Sequence, residues 1–217
     1  MKKGLTELVF VLDRSGSMSG LESDTIGGFN AMLEKQKALK GDCVVTSVLF
    51  DDRYELLHDR IRLEGVMPLT NETYYVRGNT ALLDAIGRTI DKIGGVQQHT
   101  APGEQAEKVL FVIITDGMEN SSREYRYERV REMIERQKER YGWEFLFLGA
   151  NIDAISVASR FGIAPDRAVT YCPDGEGTRL NYEAVCCAAE CVREGRPVAK
   201  DWKKSIEEDH KKRGARR

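Results

Sequence analysis

Three stretches of the sequence carry oxygen-bearing side chains at spacings that suit a hard divalent cation. The first is Asp13-Arg14-Ser15-Gly16-Ser17, the second ends in Asn79-Thr80, and the third is Thr115-Asp116-Gly117. Together they offer the carboxylates of Asp13 and Asp116 and the hydroxyls of Ser15, Ser17 and Thr80, with no soft ligand among them. Such a donor set favours Mg²⁺, with Mn²⁺ as the alternative, because Mg²⁺ accepts one or two carboxylates and keeps waters in a near-octahedral shell. The alternation Asp-x-Ser-x-Ser, with Gly16 free to take unusual backbone angles, lets a tight loop turn several oxygens inward. Any one stretch alone reads better as a helix cap or a turn. Their joint occurrence beside buried strands is what points to a metal.

The elements that must position these stretches follow from hydropathy. Near-continuous apolar runs at 8–12, 44–50, 109–114 and 145–148 predict strands buried on both faces, as in a mainly parallel sheet. Helical patterns lie between them: Ile26, Phe29, Met32 and Leu33; Leu82, Leu83, Ile86, Ile90 and Ile93; Tyr127, Val130, Ile134 and Tyr141. The fold class is therefore α/β, a doubly wound sheet with helices on both faces. One connection differs. Only Asp51-Asp52-Arg53 separates the second run from Tyr54-Glu55-Leu56-Leu57, and so short a link makes a hairpin with an antiparallel edge strand. A weaker final strand is expected at 168–172. The turn Pro173-Asp174-Gly175 then introduces a helix running to about Cys191, closed by Gly195-Arg196-Pro197.

Composition narrows the function classes. With 33 Lys+Arg against 35 Asp+Glu in 217 residues the net charge is −2, which favours neither a nucleic-acid footprint nor an acidic disordered chain. The organisation expected is one domain over residues 1–199 and a charged, net basic tail over 200–217, a short helix that Trp202 docks on the body. No apolar run approaches the roughly 18 residues that span a bilayer, so no membrane association is expected. Lys2-Lys3 and the apolar stretch after it resemble a secretory leader only faintly, since Glu7 interrupts the stretch and Asp13-Arg14-Ser15 follows it. A cytoplasmic location is the expectation. The five cysteines, at 43, 172, 186, 187 and 191, match neither a disulfide framework nor a zinc pair and read as reduced core thiols, with Cys187 and Cys191 on a helical stripe with Leu180 and Ala184.

On the residues Asp13, Ser15, Ser17, Thr80 and Asp116, the sequence resembles a von Willebrand factor type A (VWA) domain of the small bacterial cytoplasmic kind, over residues 4–195. Its family motif, the metal-ion-dependent adhesion site (MIDAS), is Asp-x-Ser-x-Ser with a separated Thr and a later Asp, and all five members are present. The resemblance implies a six-stranded sheet in the order 3-2-1-4-5-6 with strand 3 antiparallel, and a metal at the switch between strands 1 and 4. It also implies that one coordination position accepts a Glu or Asp carboxylate from a partner protein. Around that position, Arg14, Met18, Tyr74, Tyr75, Arg77, Asn79, Met118, Glu119, Asn120, Asn151 and Asp153 lie on or beside strand-end loops and are expected to shape a rim. The alternative is a Mg²⁺-dependent phosphohydrolase or phosphotransferase using Asp13. Haloacid-dehalogenase-like enzymes place a second acid two residues after the nucleophile, where this chain has Ser15, so no general acid is supplied and no enzyme is expected.

Overall fold

The computed structural model describes residues 1–214. Its strands are β1 (Lys2–Asp13), β2 (Cys43–Phe50), β3 (Tyr54–Arg62), β4 (Ala106–Thr115), β5 (Glu144–Ala150) and β6 (Ala168–Tyr171). Its helices are α1 (Glu22–Lys37), α2 (Leu82–His99), α3 (Tyr127–Tyr141), α4 (Ala154–Arg160), α5 (Gly175–Arg193) and α6 (Lys204–Gly214). The strands form one sheet in the order β3-β2-β1-β4-β5-β6. All neighbours are parallel except β2 and β3, whose link is the tight turn read from Asp51-Asp52-Arg53.

Alternate residues of the central strands feed two cores. Leu8, Phe10 and Leu12 of β1 face α1 and α5, where they meet Phe29, Met32, Leu33 and Val185. Val9 and Val11 face the other way, with Leu82, Ile86 and Ile90 of α2, Val130 and Ile134 of α3 and Ala158 of α4. This two-sided burial is why the strands read as continuous apolar runs rather than alternating ones. The first turn of α1 carries Glu22 and Asp24 and its last turn Lys35 and Lys37, charges that suit the helix dipole.

Several local expectations are corrected. Residues 154–160 form α4, a seven-residue helix too short to show a period; Asp153 caps it by accepting from Ser156 N at 3.1 Å. Cys187 is exposed and Cys191 half-buried, while Cys186 is buried, because α5 turns Tyr182, Val185, Ala189 and Val192 inward rather than the stripe through Leu180 and Cys187. His99 ends α2. The segment after Val198 is fastened to the body: Trp202 Nε1 donates to Asp166 O at 2.8 Å, Lys203 Nζ donates to Pro165 O and Ala168 O, both at 2.8 Å, and Ile206 is buried. Residues 215–217 of the tail lie outside the described residues. No helix among the described residues is long and apolar enough to cross a membrane.

Candidate metal centre

The chain reverses direction across the sheet between β1 and β4, because β1 leads to β2 on one side and β4 flanks it on the other. At such a switch point the strand-end loops part and leave a crevice. Leu12 of β1 is level with Ile114 of β4, so Asp13 and Asp116 finish adjacent strands at nearly the same height.

Hydrogen bonds link all five oxygen-bearing residues. Asp13 Oδ1 accepts from Ser15 N at 2.7 Å, and Asp13 Oδ2 accepts from Thr115 Oγ1 at 2.6 Å and Asp116 N at 3.4 Å. The hydroxyls of Ser15 and Ser17 are 3.0 Å apart, and Thr80 Oγ1 donates to Ser15 Oγ at 2.9 Å. Asp13, Ser15, Thr80 and Asp116 are buried, whereas Ser17 is exposed at the opening. Gly117 closes the cluster, since a Cβ there would stand 3.0 Å from Ser17 Oγ and 3.4 Å from Thr80 Oγ1.

Burial pushes the Asp116 carboxyl up to about 6, opposed by the Asn151 amide that donates to it and assisted by the nearby charge of Asp13. Burial also raises Asp13, against the hydrogen bonds it accepts from Thr115 and Ser15. Neither carboxylate is ion-paired among the described residues. Two desolvated acids and three hydroxyls form a donor set that a divalent cation fits, since it offsets both charges and prefers oxygen. Among the described residues no three His, Cys, Asp or Glu side chains cluster as a metal site, so the hydroxyls are essential to this donor set.

The segment carrying Thr80 is fixed by the β4–α3 loop. Thr80 N donates to Asn120 Oδ1 at 2.9 Å and Asn120 N donates to Thr80 O at 3.1 Å. Glu119 accepts from Leu83 N, Ser121 N and Ser122 N, so it caps the start of α2. Asp84 answers from α2 by accepting from Arg123 N, Glu124 N and Tyr125 N, each at 2.9 Å. The reading of loop residues from sequence had no signal for Asp84, whose position on a helix hides its role in fastening a loop.

The expected rim divides. Tyr75, Asn79, Met118 and Asn151 are exposed, Tyr75 and Met118 at 43% and 65%, and Arg77 is half-buried. Arg14 and Met18 are corrections: both are buried, Arg14 beneath the loop and Met18 in the short 3-10 turn that leads to α1. Tyr74 is buried too, and its hydroxyl donates to Asp13 O at 2.5 Å. Glu119 is half-buried and occupied by backbone amides, so it does not face a ligand as a free charge. Asn151, at φ +53°, lines a cleft of about 680 Å³ with Asp153, Thr170, Asp174, His210 and Arg213.

Comparison with solved structures places this architecture. Proximal thread matrix protein 1 from the mussel byssus, described with a zinc-occupied MIDAS motif, matches at TM-score 0.57 and 16% identity, over 85% of this chain and 45% of that one. The ArnB paralog VWA2 from Sulfolobus acidocaldarius matches at TM-score 0.51 and 16% identity, over 86% of this chain and 45% of that one. The fold is von Willebrand factor type A-like. The PilB minor pilin from Streptococcus sanguinis is also similar, at TM-score 0.58 and 12% identity, over 88% of this chain and 61% of that one. This chain thus spans about half the length of the first two VWA-like proteins and three-fifths of the third. At these identities the likeness is one of fold. No protein-family model matches the sequence, and no curated protein matches it either.

Proposed function

We propose that the chain is a metal-dependent protein-binding module in which Asp13, Ser15, Ser17, Thr80 and Asp116 form a complete MIDAS for Mg²⁺, or Mn²⁺. The observation that carries this reading is the convergence of these five residues, from three separate segments, into one hydrogen-bonded cluster at the switch point, which Asp116 joins through its backbone N. The zinc-occupied motif of the mussel protein supports a divalent ion in a fold of this kind. Bound here, the ion supplies an electrophilic position that captures a Glu or Asp carboxylate of a partner protein. The chain's own residues do the rest. Asp13 fixes the loop through Ser15 N, Ser17 presents its hydroxyl at the opening, and Asn151 donates to the Asp116 carboxylate.

The same geometry speaks for binding over turnover. The residue two positions after Asp13 is Ser15, hydrogen-bonded to Ser17 and Thr80, so no acid stands where a phosphoryl-transfer enzyme using Asp13 would need its general acid. His58 lies on β3, His99 at the end of α2 and His210 on α6, and none is hydrogen-bonded to the serines of the cluster. Because a ligand that binds only the folded state raises its stability, Mg²⁺ at about 100 times its Kd adds about 2.7 kcal/mol. The expected result is a melting temperature that rises with Mg²⁺ in the wild type and stays flat in Asp13→Ala. An equal rise in Asp13→Ala rejects the assignment.

A further inference from the structure

We infer that Asp51, in the turn between β2 and β3, is a positioning residue for the metal centre, holding the segment that carries Thr80 through the guanidinium groups of Arg14 and Arg77. The inference rests on the metal reading of the five-residue cluster. Arg14 lies inside the Asp-x-Ser-x-Ser loop, yet its side chain is fully buried and runs beneath that loop. Its Nε donates to Asp51 Oδ2 at 3.2 Å and its Nη2 to Glu55 Oε2 at 2.5 Å. Arg77 Nε donates to the same Asp51 oxygen at 2.5 Å. One buried carboxylate oxygen therefore ties the loop of Ser15 and Ser17 to the segment leading to Thr80.

The backbone repeats the tie. Arg77 N donates to Arg14 O at 2.9 Å, Gly16 N to Gly78 O at 3.1 Å, and Ala81 N to Asp51 O at 2.9 Å. Asp51 thus grips the residues on both sides of Thr80, by its side chain before it and by its carbonyl after it. Gly78 completes the contact at φ +63°, in the left-handed region that favours glycine, close enough to the turn that a Cβ would stand 3.4 Å from Asp51 Cβ. The ring of Tyr75 packs under both guanidinium groups, 5.2 Å from Arg14 and 5.5 Å from Arg77. No hydrogen bond joins Asp51 to any of the five metal-site residues, so its effect on the ion must pass through the clamp. Neutralising Asp51 leaves the buried Arg14 with Glu55 as its remaining carboxylate partner, an arrangement that relaxes by moving the loops.

The test measures Mn²⁺ affinity by calorimetry and amide hydrogen exchange in the metal-free protein. Asp51→Asn should lower Mn²⁺ affinity by about 10–100-fold, as loss of a supporting shell commonly does. In a Thr80→Ala background it should cost much less than in the wild type, because the two changes act in part on one element. Without metal, exchange at Gly16, Arg77 and Ala81 should accelerate while the β4 amides keep their protection. A full additional loss in the Thr80→Ala background, or unchanged exchange at those three amides, overturns the inference. If the wild type takes up no Mn²⁺ the metal reading falls, and the exchange comparison still decides the clamp. Should Asp51→Asn fail to fold, half-buried Arg77 carries the test: Arg77→Met should reproduce both effects and Arg77→Lys restore part of each, and equal behaviour of the two contradicts the clamp.

Discussion

Asp13 and Arg14 are sequence neighbours that serve opposite sides of one loop, the carboxylate at the crevice and the guanidinium beneath it. Spacing exposed the first and hid the second. Five oxygen donors at Asp-x-Ser-x-Ser, Thr and Asp positions announce a hard-cation site from residue types alone, whereas the direction of the Arg14, Met18 and Glu119 side chains depends on partners such as Asp51 and Leu83 that lie far along the chain. Glu119 illustrates the consequence. Replacing it with Ala leaves the amides of Leu83, Ser121 and Ser122 without their acceptor, and urea denaturation should show a loss of about 1–2 kcal/mol, the range for a lost cap. His58 gives a pH test. Burial holds its imidazole below the usual 6.5, so the unfolded chain binds the proton first as pH falls. Its contribution to stability is therefore present above 6.5 and is lost as pH drops through the folded value. The urea midpoint of the wild type should fall more between pH 7 and pH 5.5 than that of His58→Gln, and parallel curves would contradict this.

Among the elements, the apolar runs fixed four central strands and the three-residue link fixed the antiparallel edge, because these signals are local and strong. α4 left no trace in the sequence pattern, since seven residues with two serines and an arginine show no period and its helix exists through packing of Ala154 and Ala158. The face of α5 was likewise hidden. Cys187 and Cys191 share helical spacing with Ala184, but α1 selects the adjacent face by meeting Tyr182 across Gly28. A Cβ on Gly28 would stand 2.3 Å from Tyr182 Cδ2. Gly28→Ala should therefore destabilise the α1–α5 contact by about 1–3 kcal/mol, the range for overpacking a core. Unchanged stability in urea would mean that the ring moves aside freely.

At the scale of the whole molecule, a near-neutral chain of 217 residues builds one sheet, and its five candidate metal ligands gather in the loops at one end of that sheet. The charged segment beyond residue 199 belongs energetically to that sheet. Trp202, Lys203 and Ile206 cover the β6 side, and Arg213 pairs with Asp174 at the start of α5. A chain ending at 199 should lose cooperative stability in urea yet keep any metal affinity, because among the described residues no hydrogen bond or ion pair joins the five candidate ligands to α6; an unchanged urea midpoint would show the segment to be dispensable. The central claim is more direct to test. Calorimetry of the chelator-treated protein with Mg²⁺ and Mn²⁺, with and without acetate as a carboxylate probe, should show one site that tightens with acetate and vanishes in Asp13→Ala. Metal binding that persists in Asp13→Ala, or no binding by the wild type in either condition, would contradict it.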